Sequence, residues 1–421
     1  MEFPLRVAGR FTGVAFPTSV DALRDAGPAF LTEAFQVTGA LAGDNHVVSI
    51  TGWKEFFGGG MGRKIKLDVE YARPDPGLHT RLFVKFTREF GDPLRELFSP
   101  VMEPEVAFAL LSRRPDFPVR VPACYFGDYN VEHKSGLLIT ECIPYGEQGI
   151  EPALDKCLDY MIENPLDHYT AQAHAIAALA AYHRAGHFGP EIEEQFPFHR
   201  VTKLVPYDAA QLSAMLGKLR HFAATAPQLL PDSIRSEPFL SDFCRDALVL
   251  LEKESRILDH LNGQADLIAL CHWNMNPDNA WFWRDETGMH SGQLDWGGVQ
   301  QMNMAQAFYG LTCAAETDFI ERHEASLIAI VLKEYRALGG PEIDPATFVL
   351  SLRLSMAVLG VAWMLDAPSL IEAEVPDVAA LKDRYDPEIR DRFIPRAQLQ
   401  LMVVFLNEWR RNDIGAIIRA F

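Results

Sequence analysis

Residues 271–279 read CHWNMNPDN, and residues 295–297 read DWG. Between them lie two short strand signals, AWFWR (280–284) and HSGQL (290–294), joined by Asp285-Glu286-Thr287-Gly288. Aromatic, partly alternating residues on either side of a polar tetrapeptide ending in glycine predict a hairpin. A hairpin brings its two ends together, and Asn279 enters this one as Asp295 leaves it. An amide oxygen and a carboxylate are hard donors of the kind Mg²⁺ prefers. The pattern predicts that both face one divalent cation. A polar loop followed by an unrelated turn is the blander reading, and it leaves the order of the donors around a hairpin without a reason.

The neighbourhood of this hairpin decides the organisation. Upstream of about residue 150 the texture is that of strands. VVSITGWKEFF, RKIKLDVEYA and TRLFVKFT are rich in β-branched and aromatic residues and are separated by GGGMG and RPDPGLH. They predict consecutive antiparallel strands over about 47–87. A helix is expected around Pro104–Arg114, with proline in its first turn, followed by strands at ACYFGDY and SGLLITECI. One helix is expected earlier, from a Ser19 cap, with Leu23, Phe30, Leu31 and Phe35 on one face. After residue 150 the periodicity is helical, as in the Ala-rich run Thr170–Gly186. The hairpin therefore interrupts an otherwise helical stretch. The expected division is a helical extension over 1–44, a mainly β lobe over 45–148 and a helical lobe over 149–421. The expected fold class is α+β with two lobes, an antiparallel β N-lobe plus one helix and a mainly α C-lobe with an embedded hairpin. Ligand sites commonly lie in clefts between such lobes.

Phosphoryl transfer needs positioned phosphates, neutralised charge, Mg²⁺ and an oriented acceptor. The chain offers residues for each need. Gly58, Gly59 and Gly60 stand between two strand signals, where glycines let backbone N–H groups approach phosphates; an ordinary turn reads the same way. Lys85 lies within the apolar strand RLFVKF, where an ammonium must find a partner. Glu105 on the following helix is the natural carboxylate, with Glu103 beside it, unless Lys85 points to solvent. The strand LLITECIP ends where backbone groups of Glu141 and Ile143 could meet an adenine edge. His183 and His187, four residues apart, read as packed or helix-capping residues. Trp281, Phe282 and Trp283 read as a hairpin edge packed on the core. No GxxxxGK[ST] and no GxSxG occurs, which sets aside phosphate-loop ATPases and elbow-type hydrolases.

The chain has 421 residues, 48% hydrophobic and 23% charged, and a formal net charge of −18. That balance argues against nucleic-acid and anionic-membrane partners, which reward clustered Lys and Arg. Six scattered cysteines without a CxxC pair fit reduced thiols in the cytoplasm. The N-terminus lacks a basic-then-apolar signal pattern. The run Leu352–Leu365, with Arg353 near its start, reads as a buried helix too short to span a bilayer.

Together these residues resemble the protein-kinase-like superfamily, and within it the aminoglycoside phosphotransferase, choline kinase and ecdysteroid kinase-like small-molecule kinases. The resemblance is loose over about 45–310 and sharp at 271–298. It implies an ATP- or other nucleoside triphosphate-dependent transfer to a small-molecule hydroxyl. It assigns the phosphate lysine to Lys85, its carboxylate to Glu105, the loop histidine to His272, and the Mg²⁺ ligands to Asn279 and Asp295. Two positions depart from the family pattern. Asn274 stands where the family has its catalytic aspartate, and Gln306 stands where it has an aspartate bracing the loop. An amide keeps hydrogen bonding but loses basicity. A pseudokinase, which binds nucleotide without transfer, is therefore the alternative; nucleotidyl transfer is a third reading.

Overall fold

The computed structural model describes residues 3–56 and 62–421. The chain divides into two compact units, Met1–Glu151 with Gly292–Val299, and Pro152–Ser291 with Gln300–Phe421.

The first unit opens with a short antiparallel pair, β1 (Arg6–Ala8) and β2 (Ala15–Pro17). The helix Val20–Val37 follows, and the Ser19 side chain accepts the Ala22 N–H at its start. Gly27 kinks it at φ 59°, ahead of Pro28; glycine tolerates that left-handed conformation where other residues would be strained. Leu23, Phe30, Leu31 and Phe35 are buried as their spacing predicts. Five further strands, β3 (Val47–Phe56), β4 (Lys64–Tyr71), β5 (Arg81–Phe86), β6 (Cys124–Asn130) and β7 (Ser135–Glu141), form an antiparallel sheet in the order β3-β4-β5-β7-β6.

Strand periodicity gives this sheet two different faces. Ile65, Leu67, Val69, Leu82, Val84 and Phe86 share a core with the helix Val20–Val37. Fully burying each such side chain contributes ~1.5–3 kcal/mol. The intervening residues, Lys64 and Lys85 among them, must take the opposite face. That face carries the helix Met102–Leu111, whose Met102 and Val106 pack with Cys124, Tyr129 and Leu138. Lys85 is therefore directed beneath a helix and away from water, with 4% of its surface exposed.

The second unit is mainly helical. Its principal helices are Pro165–Arg184, Ala209–Thr225, Glu237–Gly263, Met304–Thr312, Thr317–Ala337, Pro345–Trp363 and Phe393–Arg411. They bury one continuous apolar core. Gly186, at φ 75°, follows the Ala-rich helix where the sequence predicts its end. The helix Pro345–Trp363 is long and apolar enough to cross a membrane, but most of it is buried inside this core. Arg353 within it donates to both carboxylate oxygens of Glu324, at 2.7 and 2.6 Å. A paired guanidinium is the form in which an arginine can sit among apolar side chains.

The predicted hairpin is β9 (Ala280–Asp285) with β10 (Gly288–Gln293). The sequence reading does not include the short pair that brackets it. β8 (Ile268–Cys271) and β11 (Gln300–Asn303) are antiparallel, with Cys271 opposite Gln300. Four apolar residues and a polar QQMN run carry too little alternation to announce strands.

Candidate functional site

The first unit builds a compact charged cluster on the helix-bearing face of its sheet. Lys85 Nζ lies 2.8 Å from both oxygens of Glu105 and 2.7 Å from Asp295 Oδ1. Glu105 reaches it because the helix Met102–Leu111 packs on that face. Three residues further along the same helix, Phe108 stacks on Trp296 at 3.9 Å. The Trp296 indole donates to the Gln293 carbonyl at 3.0 Å, and the Gly298 N–H to Val101 at 3.3 Å. These contacts hold the 292–299 segment and so set Asp295. Glu103, the alternative partner, pairs with Arg10 instead.

Burial alone would lower the Lys85 ammonium's pKa, but Asp295 and Glu105 beside it carry it above the usual lysine value. It is a fixed cation. The Lys85 and Glu105 side chains are 5% and 6% exposed, whereas Asp295 is 44% exposed. Asp295 also has φ 55°, a left-handed conformation that Asp tolerates better than most residues. An exposed carboxylate beside a buried ammonium fits a metal–phosphate pair: the lysine answers phosphate charge and the acid offers oxygen to a cation.

A second lysine escaped the sequence reading. Lys64 on β4 is directly opposite Lys85 on β5, so both ammoniums leave the sheet on one face. Burial and the Lys85 charge lower the Lys64 pKa, while Asp295 and Glu105 work the other way. The signal was available in RKIKLDVEY: with Ile65 and Leu67 inward, Lys64 must share the face of the buried lysine.

Gly58, Gly59 and Gly60 lie outside the described residues. Gly62, after them, has φ 136°, and a Cβ there would lie 2.1 Å from the Phe86 carbonyl oxygen. At the end of β7 the Glu141 N–H donates to Ala123 at 2.9 Å, and the Glu141 carbonyl accepts from Thr140 Oγ1 at 3.1 Å. The Ile143 carbonyl accepts the Tyr145 N–H at 3.0 Å. The Ile143 N–H meets no acceptor among the described residues.

The second unit holds the loop 271–279. His272 is 1% exposed, and its Nδ1 accepts the Asn274 N–H at 3.1 Å. It shapes the loop from beneath. Asn279 donates its Nδ2 to the Asn274 carbonyl at 2.9 Å, and its Oδ1 takes no part in that bond. An amide oxygen of this kind fits a cation ligand. Asn276 Nδ2 donates to Asn274 Oδ1 and to the Gly310 carbonyl, the latter at 3.0 Å. Gln172 donates to the Met275 carbonyl at 2.9 Å. The loop is thus braced by Gln172 and Asn276, whereas Gln306 makes no hydrogen bond to it among the described residues.

Lys156 is the other residue the sequence reading missed. Its Nζ lies 3.5 Å from Asn274 Oδ1 and 3.5 Å from Asp278 Oδ1. One ammonium therefore joins the amide at 274 to a carboxylate four residues on. Burial lowers its pKa, but Asp278 together with Cys313, Cys157 and Asp159 carries it above the usual lysine value. His183 and His187 gather no metal set; among the described residues no three His, Cys, Asp or Glu side chains do so.

The first unit is thus a five-stranded antiparallel sheet with its helix, and the second is helical with an embedded hairpin, a mixed α+β chain. Solved structures with which the chain is similar include the ethanolamine kinase of Plasmodium vivax, at 14% identity and TM-score 0.43, covering 84% of this chain and 81% of that one. A choline/ethanolamine kinase family protein from Mesorhizobium loti is similar at 13% identity and TM-score 0.42, covering 92% and 99%. A spectinomycin phosphotransferase, solved with ADP and spectinomycin, is similar at 11% identity and TM-score 0.40, covering 86% and 94%. No family model and no curated protein matches the sequence.

Proposed function

We propose that this protein is an ATP-dependent phosphotransferase acting on a hydroxyl of a small molecule. The single observation that carries the reading is Lys85 held between Glu105 and Asp295. A buried, permanently charged ammonium with one buried and one exposed carboxylate suits phosphates and a divalent cation. In this reading Lys85 neutralises phosphate charge and Glu105 fixes its direction. Asp295 and the Oδ1 of Asn279 are the proposed Mg²⁺ ligands; the cation, when bound, neutralises charge on the phosphates. The acceptor hydroxyl oxygen bonds to the terminal phosphorus, the bond from that phosphorus to the bridging oxygen breaks, the nucleoside diphosphate leaves, and the hydroxyl proton passes to a phosphate oxygen and from there to water. Asn274 orients the acceptor. The partner class is a small molecule, not nucleic acid or membrane, and six free cysteines suit a cytoplasmic setting.

The test is a thermal-shift titration with ATP and Mg²⁺, because a ligand selective for the folded state raises its melting temperature. The reading expects a Mg²⁺-dependent rise in the natural protein and its loss in Asp295→Ala. An unchanged melting temperature at millimolar MgATP would end it.

The pseudokinase reading keeps the nucleotide and drops the transfer. The amide at Asn274 favours it, because an amide cannot take the acceptor's proton.

A further inference from the structure

A small cleft, partly open to solvent, lies in the second unit. Among its lining residues are Tyr160, Glu316, Arg384, Tyr385, Arg390 and Arg396, so three guanidiniums stand against one carboxylate. In a chain of net charge −18 such a local excess of cations is unexpected.

The partners of these arginines leave that excess in place. Arg384 pairs with Glu316, and the two side chains are 16% and 14% exposed. Arg384 also donates to Gln400 Oε1 at 2.8 Å. Arg390 engages the neighbouring Asp391 at 2.7 and 3.0 Å. Arg396 donates to two backbone carbonyls, those of Lys156, at 2.8 Å, and Arg390. A carbonyl dipole orients a guanidinium without cancelling its charge. After the pairings with Glu316 and Asp391, one whole cationic charge faces the cleft. Tyr160 lines the same cleft as the three guanidiniums and Glu316. Tyr160 and Tyr385 meet edge to face at 4.9 Å and give the cleft an aromatic wall with two hydroxyls.

The cleft is tied to the catalytic-loop positions. The Lys156 carbonyl is held by Arg396, and the Lys156 ammonium lies 3.5 Å from Asn274 Oδ1. One residue therefore joins the arginine wall to the amide that the phosphotransferase reading gives to the acceptor.

We propose that this cleft is the acceptor site and that the acceptor is a small hydroxylated anion, bearing a carboxylate or a phosphate ester that the arginines receive. The charge of the site selects against hydroxylated cations. A guanidinium offers a planar pair of donors that matches either anion. The assignment to the acceptor rests on the phosphotransferase reading; the anion preference of the cleft does not.

The experiment is isothermal titration of the nucleotide-free full chain with glycerol 3-phosphate, glycerate and choline, repeated on Arg390→Gln and Arg396→Gln. One or both anions bind and choline does not, and each substitution weakens anion binding at least tenfold. Glycerol 3-phosphate binding alone marks a phosphate ester as the anion, glycerate alone a carboxylate. Arg390 is 43% exposed in its side chain, so its replacement leaves the fold intact, and an unchanged melting temperature checks that. Choline binding in preference to both anions, no binding of either anion at 10 mM (about ten times a 1 mM dissociation constant), or equal anion binding by the variants overturns the proposal. The MgATP thermal shift judges the phosphotransferase reading separately, since a cleft that binds anions in a chain that ignores MgATP leaves the first inference standing and removes the acceptor role.

Discussion

Lys64 and Lys85 stand directly opposite each other on adjacent antiparallel strands, on the face that also receives Glu105. Like charges in that position repel, at a cost of ~0.2–1 kcal/mol relative to neutral pairs. Here the repulsion is answered by the carboxylates of Glu105 and Asp295. A bound polyphosphate would answer it further. Replacing Lys64 by glutamine is therefore expected to raise the melting temperature of the nucleotide-free protein slightly and to reduce its rise with MgATP. A purely structural Lys64 would lower the first and leave the second unchanged.

Lys85→Ala removes the cation from a buried pair and strands Glu105, which is 5% exposed. Breaking a buried ion pair from one side costs ~3–5 kcal/mol. Urea denaturation should show a loss of that size, with Glu105→Ala costing a similar amount. Asp295→Ala should cost much less, because Asp295 is 44% exposed, while abolishing the MgATP shift. A large stability loss in Asp295→Ala would show a structural acid.

Asn274→Asp puts a carboxylate where the amide oxygen already accepts from Asn276 and lies 3.5 Å from Lys156. Both contacts suit a carboxylate, so the variant should fold with unchanged or greater stability. A general base contributes ~10²–10⁴ in rate. ATP consumption that rises by such a factor over a measurable natural activity fits the phosphotransferase. Activity confined to the variant makes the natural protein a pseudokinase.

Asp159 is buried, and its carboxyl accepts from the Tyr169 hydroxyl. Burial pushes its pKa up to about 7, Asp278 and Glu316 add to that, and Tyr169 and Lys156 oppose it. The folded state thus holds a proton that the unfolded chain releases near its ordinary value of 3.8. Its contribution to stability is fully present below that unfolded value and is lost as pH rises through about 7. The slope is at most ~1.4 kcal/mol per pH unit. Asp159→Asn should flatten the urea midpoint between pH 4.5 and 7, and a profile unchanged by the substitution would contradict this assignment.

Gly310 packs against the loop backbone: a Cβ there would lie 1.9 Å from the Trp273 carbonyl oxygen and 3.3 Å from the Asn274 N. Backbone cannot yield as a flexible side chain can. Gly310→Ala should destabilise the protein by ~1–3 kcal/mol, the usual cost of overpacking, and shift the backbone signals of Trp273 and Asn274 in NMR spectra. Wild-type stability would mean the loop has room to retreat.

Local residue chemistry determined much of this protein. The 2.0-residue period of RKIKLDVEYA and RLFVKF fixed the strands and their inward faces, and the Ser19 cap and apolar spacing fixed the first long helix. AWFWR, HSGQL and the turn between them fixed the hairpin, because turn chemistry is local. Lys85 as an ammonium in need of a partner was legible for the same reason: an apolar strand on both sides leaves it no water. Glu105 was legible as its natural partner, with Glu103 beside it, but only tertiary structure decided how the two divide: with Phe108 packed on Trp296, Glu105 meets Lys85 while Glu103 meets Arg10. The opposition of Lys64 to Lys85 depends on strand register, and the approach of Lys156 to Asn274 spans 118 residues of chain. No periodicity reports such a distance, because it is set by how helices close on one core and not by neighbours along the chain.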